Sequence, residues 1–233
     1  NAIATPSTTN DFAYEVSITN VSPSSGSIGG GTLITITGKN FVPDALDTLV
    51  TIGNELNQIC SIEHITPTEI KCRTPSKNFY YAVNVPQVVT VDSKLIMPTN
   101  CSSPSSNCWF TFLPKENSPE LLTISSNSIT SGIITLNGLR FQLGSSIKVS
   151  FTNKITGKIT VVNPNEHIDE NNATVVEANS TQVNVTVPSV EAGLYGVRVR
   201  VDPLGETYPM TLTINPTITG VAAPSLSVNG GVV

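Results

Sequence analysis

Polar and apolar residues alternate along much of this chain. Leu33-Ile-Thr-Ile-Thr37, Glu69-Ile-Lys-Cys-Arg73, Trp109-Phe-Thr-Phe-Leu113 and Val197-Arg-Val-Arg-Val201 all repeat every second position. A period of two sends successive side chains to opposite faces of a strand. No stretch carries apolar residues at the three-then-four spacing of an amphipathic helix over three turns. The pattern predicts strands over 16–20, 32–37, 49–52, 58–64, 69–73, 81–91 and 108–113, then over 121–125, 133–137, 147–152, 158–163, 174–177, 182–187, 194–202 and 207–214. Pro86 lacks an N–H for a ladder, which predicts an edge or a bulge within 81–91. In Val197–Val201 one face is expected in a core, with Arg198 and Arg200 facing water.

Turn residues divide these strands into units. Gly and Pro occur 16 times each, and β-branched runs broken by such residues argue for short strands joined by turns. Pro114-Lys-Glu-Asn-Ser-Pro119 is polar, bracketed by proline and free of periodicity, so it marks a boundary. The chain also repeats itself. Ile133-Ile-Thr-Leu-Asn-Gly138-Leu-Arg-Phe141 copies Leu33-Ile-Thr-Ile-Thr-Gly38-Lys-Asn-Phe41, and Ile218-Thr-Gly-Val221 copies Ile18-Thr-Asn-Val21. Ser25, Ser27, Gly30 and Gly31 return as Ser225, Ser227, Gly230 and Gly231. A period near 100 residues means tandem domains; solenoids repeat every 20–50. The expected plan is an extended segment or linker over 1–15, one sandwich over 16–116, a second over 117–215 and the first strand of a third unit over 216–233.

Charge removes some functions. Only 12 Lys and Arg stand against 17 Asp and Glu, for a net charge of −5. Nucleic-acid binding needs a basic stripe to neutralise phosphates, and none is present, so no nucleic-acid partner is expected. No apolar run approaches the roughly 18–20 residues that span a bilayer, and no direct membrane insertion is expected. The chain opens on Asn1 rather than Met, which reads as a mature or excised piece of a longer precursor.

The four cysteines are Cys60, Cys72, Cys101 and Cys108, which allow three pairings. Sequential pairing is expected because each pair brackets a turn-rich segment. Spacings of 12 and 7 do not fit a zinc site, whose paired ligands lie two to four residues apart. Two disulfides imply an oxidising compartment. Five acceptor sequons, at Asn20, Asn100, Asn172, Asn179 and Asn184, point the same way and predict N-glycans.

Catalytic chemistry is not visible. His64 and His167 lie near no Gly-x-Ser-x-Gly elbow. His167-Ile-Asp169-Glu170 lacks the glycine-containing pattern of a calcium loop, and Asp44, Asp47 and Glu55 carry the same weak signal. Gly26 and Gly29–Gly31 lack the Lys-Ser/Thr of a phosphate loop and lead into a strand; they are expected to be turn glycines with positive φ. No catalytic residue, cofactor or metal is expected.

Val16-Ser-Ile-Thr-Asn-Val-Ser-Pro-Ser-Ser-Gly26 followed by Gly29-Gly-Gly-Thr-Leu-Ile-Thr-Ile-Thr-Gly38 resembles the opening of IPT/TIG domains. Cys60 followed by Thr68-Glu-Ile-Lys-Cys72-Arg-Thr-Pro75 resembles the middle strands of their extracellular members, of fibrocystin-like and plexin-like type. The resemblance implies an all-β chain of tandem immunoglobulin-like sandwiches. It departs from a true immunoglobulin domain in that Trp109 follows all the cysteines. The expected role is structural or adhesive, outside the cell or on its surface: a stalk, or a subunit of a self-assembling fibril. Residues 1–15 and 216–233 would then contact other copies head to tail or adjacent repeats. The alternative is a receptor fragment binding a protein or glycan, with Phe79-Tyr80-Tyr81 as apolar loop tips.

Overall fold

A computed structural model describes residues 16–44, 46–53, 58–77, 84–93, 96–99, 107–141, 146–162 and 181–217. The first unit contains β1 (Ser17–Ser22), β2 (Ser25–Ser27), β3 (Leu33–Lys39), β4 (Thr48–Ile52), β5 (Ser61–Ile65), β6 (Glu69–Arg73), β7 (Pro86–Ser93), β8 (Ile96–Thr99) and β9 (Trp109–Leu113). The second contains β10 (Glu120–Ile124), β11 (Ser128–Ile129), β12 (Ile133–Leu139), β13 (Ile147–Asn153), β14 (Ile159–Val162), β15 (Gln182–Thr186), β16 (Gly193–Val201), β17 (Gly205–Glu206) and β18 (Met210–Ile214). The predicted strand over 174–177 and the third unit's repeat over 218–233 lie outside the described residues, as does the segment 1–15.

Each unit is a two-sheet sandwich. In the first, β1-β3-β6-β5 faces β2-β9-β7-β4, with β8 also on β7. In the second, β10-β12-β15 faces β11-β18-β16-β13-β14, with β17 on β16. The alternation read from the sequence is the alternation of burial. Ile34, Ile36, Ile70, Cys72, Phe110 and Phe112 are fully buried in one core; Ile134, Leu136, Val149, Phe151, Val183, Val185, Val197 and Val199 fill the other. Tyr195 closes the second core at a corner, its hydroxyl donating to Glu191 O at 2.7 Å four residues upstream.

One local motif sets how the units stack. After β1 the chain switches sheets, and the short β2 runs parallel to the terminal strand β9, with Ser25 opposite Thr111 and Ser27 opposite Leu113. The turn after β2 is thereby delivered to the pole where the unit's C-terminus leaves. The second unit repeats the device, with β11 parallel to β18. Both short strands fall in segments too rich in Ser and Gly to announce themselves by periodicity.

Pro86 is the first residue of β7 and pairs with Thr111 of β9 alone, since β4 joins β7 only from Val89 to Ser93, so the proline stands where one side of the strand has no ladder partner, as an edge position allows. The boundary segment between the sandwiches is held by hydrogen bonds. Lys115–Asn117 form a single 3-10 turn, and Ser118 is buried, its Oγ accepting from Ile28 N–H at 3.1 Å and donating to Leu113 O at 3.1 Å. Arg140 donates to the carbonyls of Ser118 and Lys115, so both sandwiches hold the connection.

Candidate functional site

The chemistry of this chain gathers at the joint between the sandwiches. Its base is the turn Gly26–Thr32, every residue of which is buried. Into it fits the tip of the second sandwich, Asp202-Pro-Leu-Gly-Glu206 with β17. Ser27 N–H donates to Leu204 O at 2.8 Å, and Glu206 N–H donates to Gly30 O at 2.7 Å. The hydroxyls of Ser27 and Thr32 donate to Glu206 O and Leu204 O at 2.6 and 2.9 Å. A buried backbone group must find a partner; here each unit supplies partners for the other.

The glycines of this turn divide between two roles. Gly30 and Gly31 hold φ of 83° and 71°, the left-handed region expected for turn glycines. Gly26 and Gly29 do not have positive φ and correct that expectation: they are glycine for space. A Cβ on Gly29 would collide with the backbone carbonyl of Glu206, and one on Gly26 with the Thr32 side chain.

Charged groups ring the contact. Arg73 donates to Gly31 O at 2.9 Å and to Asp202 Oδ1 at 3.2 Å across the joint, and pairs with Glu63 at 2.6 Å. Arg200 pairs with Glu206 at 2.5 Å, while Arg198 donates to Gly29 O at 3.2 Å. This corrects the expectation that Arg198 and Arg200 face water: their side chains are about a quarter exposed and point into the joint. The Tyr208 hydroxyl donates to Lys77 O. Burial pushes the Tyr208 pKa up to about 12, with Arg198 pulling against it. Lys77 is itself buried, its ammonium 5.4 Å from the Phe112 ring centre.

Beside the contact lies an open groove of about 550 Å³. The outward face of β13 and β16 forms its floor through Ser150, Thr152, Arg198 and Arg200, and Ile59, Glu63 and Arg73 form a wall from the first sandwich.

The other predicted residues scatter. Cys60 and Cys72 form a disulfide with a Cα–Cα distance of 5.6 Å. Cys60 N–H still bonds to Val50 O of one sheet, and Cys72 sits in β6 of the other, so the bridge staples the two sheets where the chain changes over. Cys108 is buried and disulfide-bonded; Cys101 lies outside the described residues. Asn20 is partly exposed on β1, and Asn184 is partly exposed on β15 with its Oδ1 accepting from Thr135 at 2.8 Å. Asn100, Asn172 and Asn179 lie outside the described residues, as do His167, Asp169, Glu170, Glu55 and Phe79-Tyr80-Tyr81. His64 is exposed on β5. Among the described residues, no three His, Cys, Asp or Glu side chains gather as metal ligands.

Sequence reasoning missed Arg73, Arg198, Asp202, Glu206 and Tyr208 as partners. The available signals were the Gly29–Gly31 run and the hairpin punctuation of Asp202-Pro-Leu-Gly205, but nothing in either says that they meet.

Comparison with known proteins agrees with this architecture. A 59-residue stretch is 52% identical to fibrocystin-L of Homo sapiens, covering 25% of this chain and 1% of that protein. Fibrocystin of Canis lupus familiaris is 25% identical over 244 aligned positions, covering 100% of this chain and 5% of that protein. The chain therefore spans a small part of the relatives it matches. Among solved structures, the plexin A4 extracellular region matches with 19% identity and a TM-score of 0.42, over 78% of this chain and 14% of that one. The IPT/TIG domain family matches residues 17–112 and 119–214, almost the two sandwiches as folded. With both matched blocks taken together covering most of the chain, the protein belongs to the IPT/TIG domain family.

Proposed function

We propose that this chain is a non-enzymatic, extracellular structural segment: a stalk of tandem sandwiches stacked through their glycine-rich poles. The observation that carries this reading is the buried turn Gly26–Thr32, filled by the Asp202–Glu206 hairpin of the next unit. A jointed array needs a defined angle at each joint, and hydrogen bonds from both units supply it here. Sequence repetition supports extension of the same contact. Ser225, Ser227, Gly230 and Gly231 repeat the residues of the turn in sequence. Its partners are adjacent repeats and, head to tail, other copies of the chain, the contact that builds a filament. The Cys60–Cys72 bridge and the fibrocystin and plexin relatives support a location outside the cell or on its surface.

Scattering from the full chain in solution, with spin labels on the two sandwiches, tests the stalk. One narrow inter-sandwich distance is expected, and a broad distribution sinks the reading. Sedimentation tests self-assembly: concentration-dependent association is expected, and it should disappear on deleting 216–233. A wild-type chain that stays monomeric at high concentration limits the partners to adjacent repeats.

A second reading, a receptor fragment that binds a ligand, is favoured by the groove at the joint. Arg73, Lys154, Arg198 and Arg200 gather there in a chain with a net charge of −5. An acidic peptide or sulfated glycan array giving no signal removes it.

A further inference from the structure

The single tryptophan of the chain, Trp109, is out of place for a core residue. Its neighbours Cys108 and Phe110 are fully buried, but β9 turns Trp109 to the outer face, where it is partly exposed. A large aromatic surface left open on a sandwich calls for an occupant.

The strand beside it indicates which one. Asn20 forms a parallel bridge with Asn107, Val21 N–H donates to Asn107 O at 2.6 Å, and Thr111 N–H donates to Ser24 O at 2.8 Å. Residues 20–24 therefore run alongside 107–111, with Trp109 midway. Two shallow depressions result. One, of about 440 Å³, has Asn20, Ser22, Asn107 and Trp109 in its lining; the other, of about 520 Å³, is lined by Ser24, Pro86, Trp109 and Thr111. Both include Ser24 and Trp109, so they form one trough across the indole.

The trough offers an apolar plate edged by amides and hydroxyls. That suits a pyranose ring, which has a C–H face and a hydroxyl rim. It also contains a sugar attachment point, since Asn20-Val-Ser22 is an acceptor sequon. The Asn20 side chain makes no hydrogen bond among the described residues, and Ser22 is exposed. Asn184, by contrast, has its amide oxygen engaged by Thr135.

We infer that Asn20 carries an N-linked glycan whose first N-acetylglucosamine residues lie on the indole face of Trp109. This rests on the extracellular reading above. The glycan then covers the partly exposed indole of Trp109 and ties β1, an edge strand, to the outer face of the opposite sheet.

The test uses the full chain secreted from a glycosylating host, with site occupancy mapped by mass spectrometry. Asn20 is expected to be occupied. Because Trp109 is the only tryptophan, its emission reads the trough directly. Ser22→Ala, which removes the acceptor signal and leaves Asn20 in place, is expected to red-shift the emission and lower the melting temperature of the first sandwich by several degrees. In a Trp109→Phe background, Ser22→Ala is expected to leave that melting temperature unchanged. Occupancy elsewhere with Asn20 bare overturns the inference and leaves the extracellular reading standing; no occupancy at any sequon overturns both. Occupied Asn20 with the same emission and melting temperature as Ser22→Ala also overturns it. Free chitobiose binding to the Ser22→Ala chain assigns the trough to a foreign glycan and overturns the attached one.

Discussion

The two sandwiches share a frame to the residue. Gly38 and Gly138 each leave no room for a Cβ, because the carbonyl of Ser17 or Glu120 and the ring of Phe41 or Phe141 occupy the space. Asn40 and Arg140 each hold a left-handed φ, 61° and 62°. Phe41 and Phe141 each fill the core beneath. The units differ in what is added to that frame. Opposite Ile34 the first has Cys72, bridged to Cys60; opposite Ile134 the second has Val185. At its pole the first has a glycine run filled by the next unit; the second has Thr130-Ser131-Gly132, and a Cβ on Gly132 would meet nothing within 4 Å. The shared frame sets the fold. The cysteine staple and the glycine seat are separate devices laid over it.

The largest break in this comparison is to give the first sandwich the second one's core. Cys60→Ala with Cys72→Val removes a bridge closing 12 residues of sequence, a loop worth about 3 kcal/mol. Trp109 lies in the first sandwich alone, so its fluorescence during urea unfolding follows that unit. The midpoint should fall by that amount in free energy, while amide exchange in β12, β13 and β16 stays as in wild type. Equal loss in both units would mean that they fold as one body and the staple is not local.

Next come paired changes in the frame. Gly38→Ala and Gly138→Ala each force a methyl against backbone, with an overpacking cost of about 1–3 kcal/mol. Each should destabilise its own sandwich, and by similar amounts, as read by exchange of β3 and β12 amides. A large loss at one and none at the other would show that the frames are not equivalent.

The pole is tested by Gly29→Ala against Gly132→Ala. The first puts a methyl onto Glu206 O and should spread the inter-sandwich distance while leaving the first sandwich's unfolding midpoint nearly unchanged. The second meets no neighbour but asks alanine to hold a φ of 112°, a local strain of order 1–3 kcal/mol, with the joint unaffected. A joint that tolerates Gly29→Ala is not held by the Gly26–Thr32 turn.

These contrasts explain what the sequence revealed. Strand positions were legible because Ile34, Ile36, Val197 and Val199 alternate with polar neighbours, and burial follows that alternation. The repeat was legible because Gly38 and Phe41 recur with fixed spacing in Gly138 and Phe141. The joint was not. Its bonds run largely through main-chain carbonyls of Gly29, Gly30, Leu204 and Glu206, which any residue possesses, across separations of more than 160 positions. Arg198 and Arg200 follow the alternation rule equally well facing water or facing a neighbour, so the rule alone does not separate the two.

The smallest expected effect is at the joint's margin, in Tyr208. Its pKa is raised by burial to about 12 from an ordinary 10.0. A raised folded-state value means that the neutral hydroxyl is favoured in the joint. Its contribution is fully present below pH 10, where the unfolded or undocked chain also keeps the proton, and is lost as pH climbs through about 12. The inter-sandwich distance should therefore hold to pH 10 and loosen above it, as the phenolate meets the Lys77 carbonyl it formerly donated to. Tyr208→Phe should remove a step near pH 12 from the tyrosinate absorbance titration and flatten the pH response of the distance, with little change in either sandwich at neutral pH. The same loosening in Tyr208→Phe above pH 10 would assign it to the other groups of the joint.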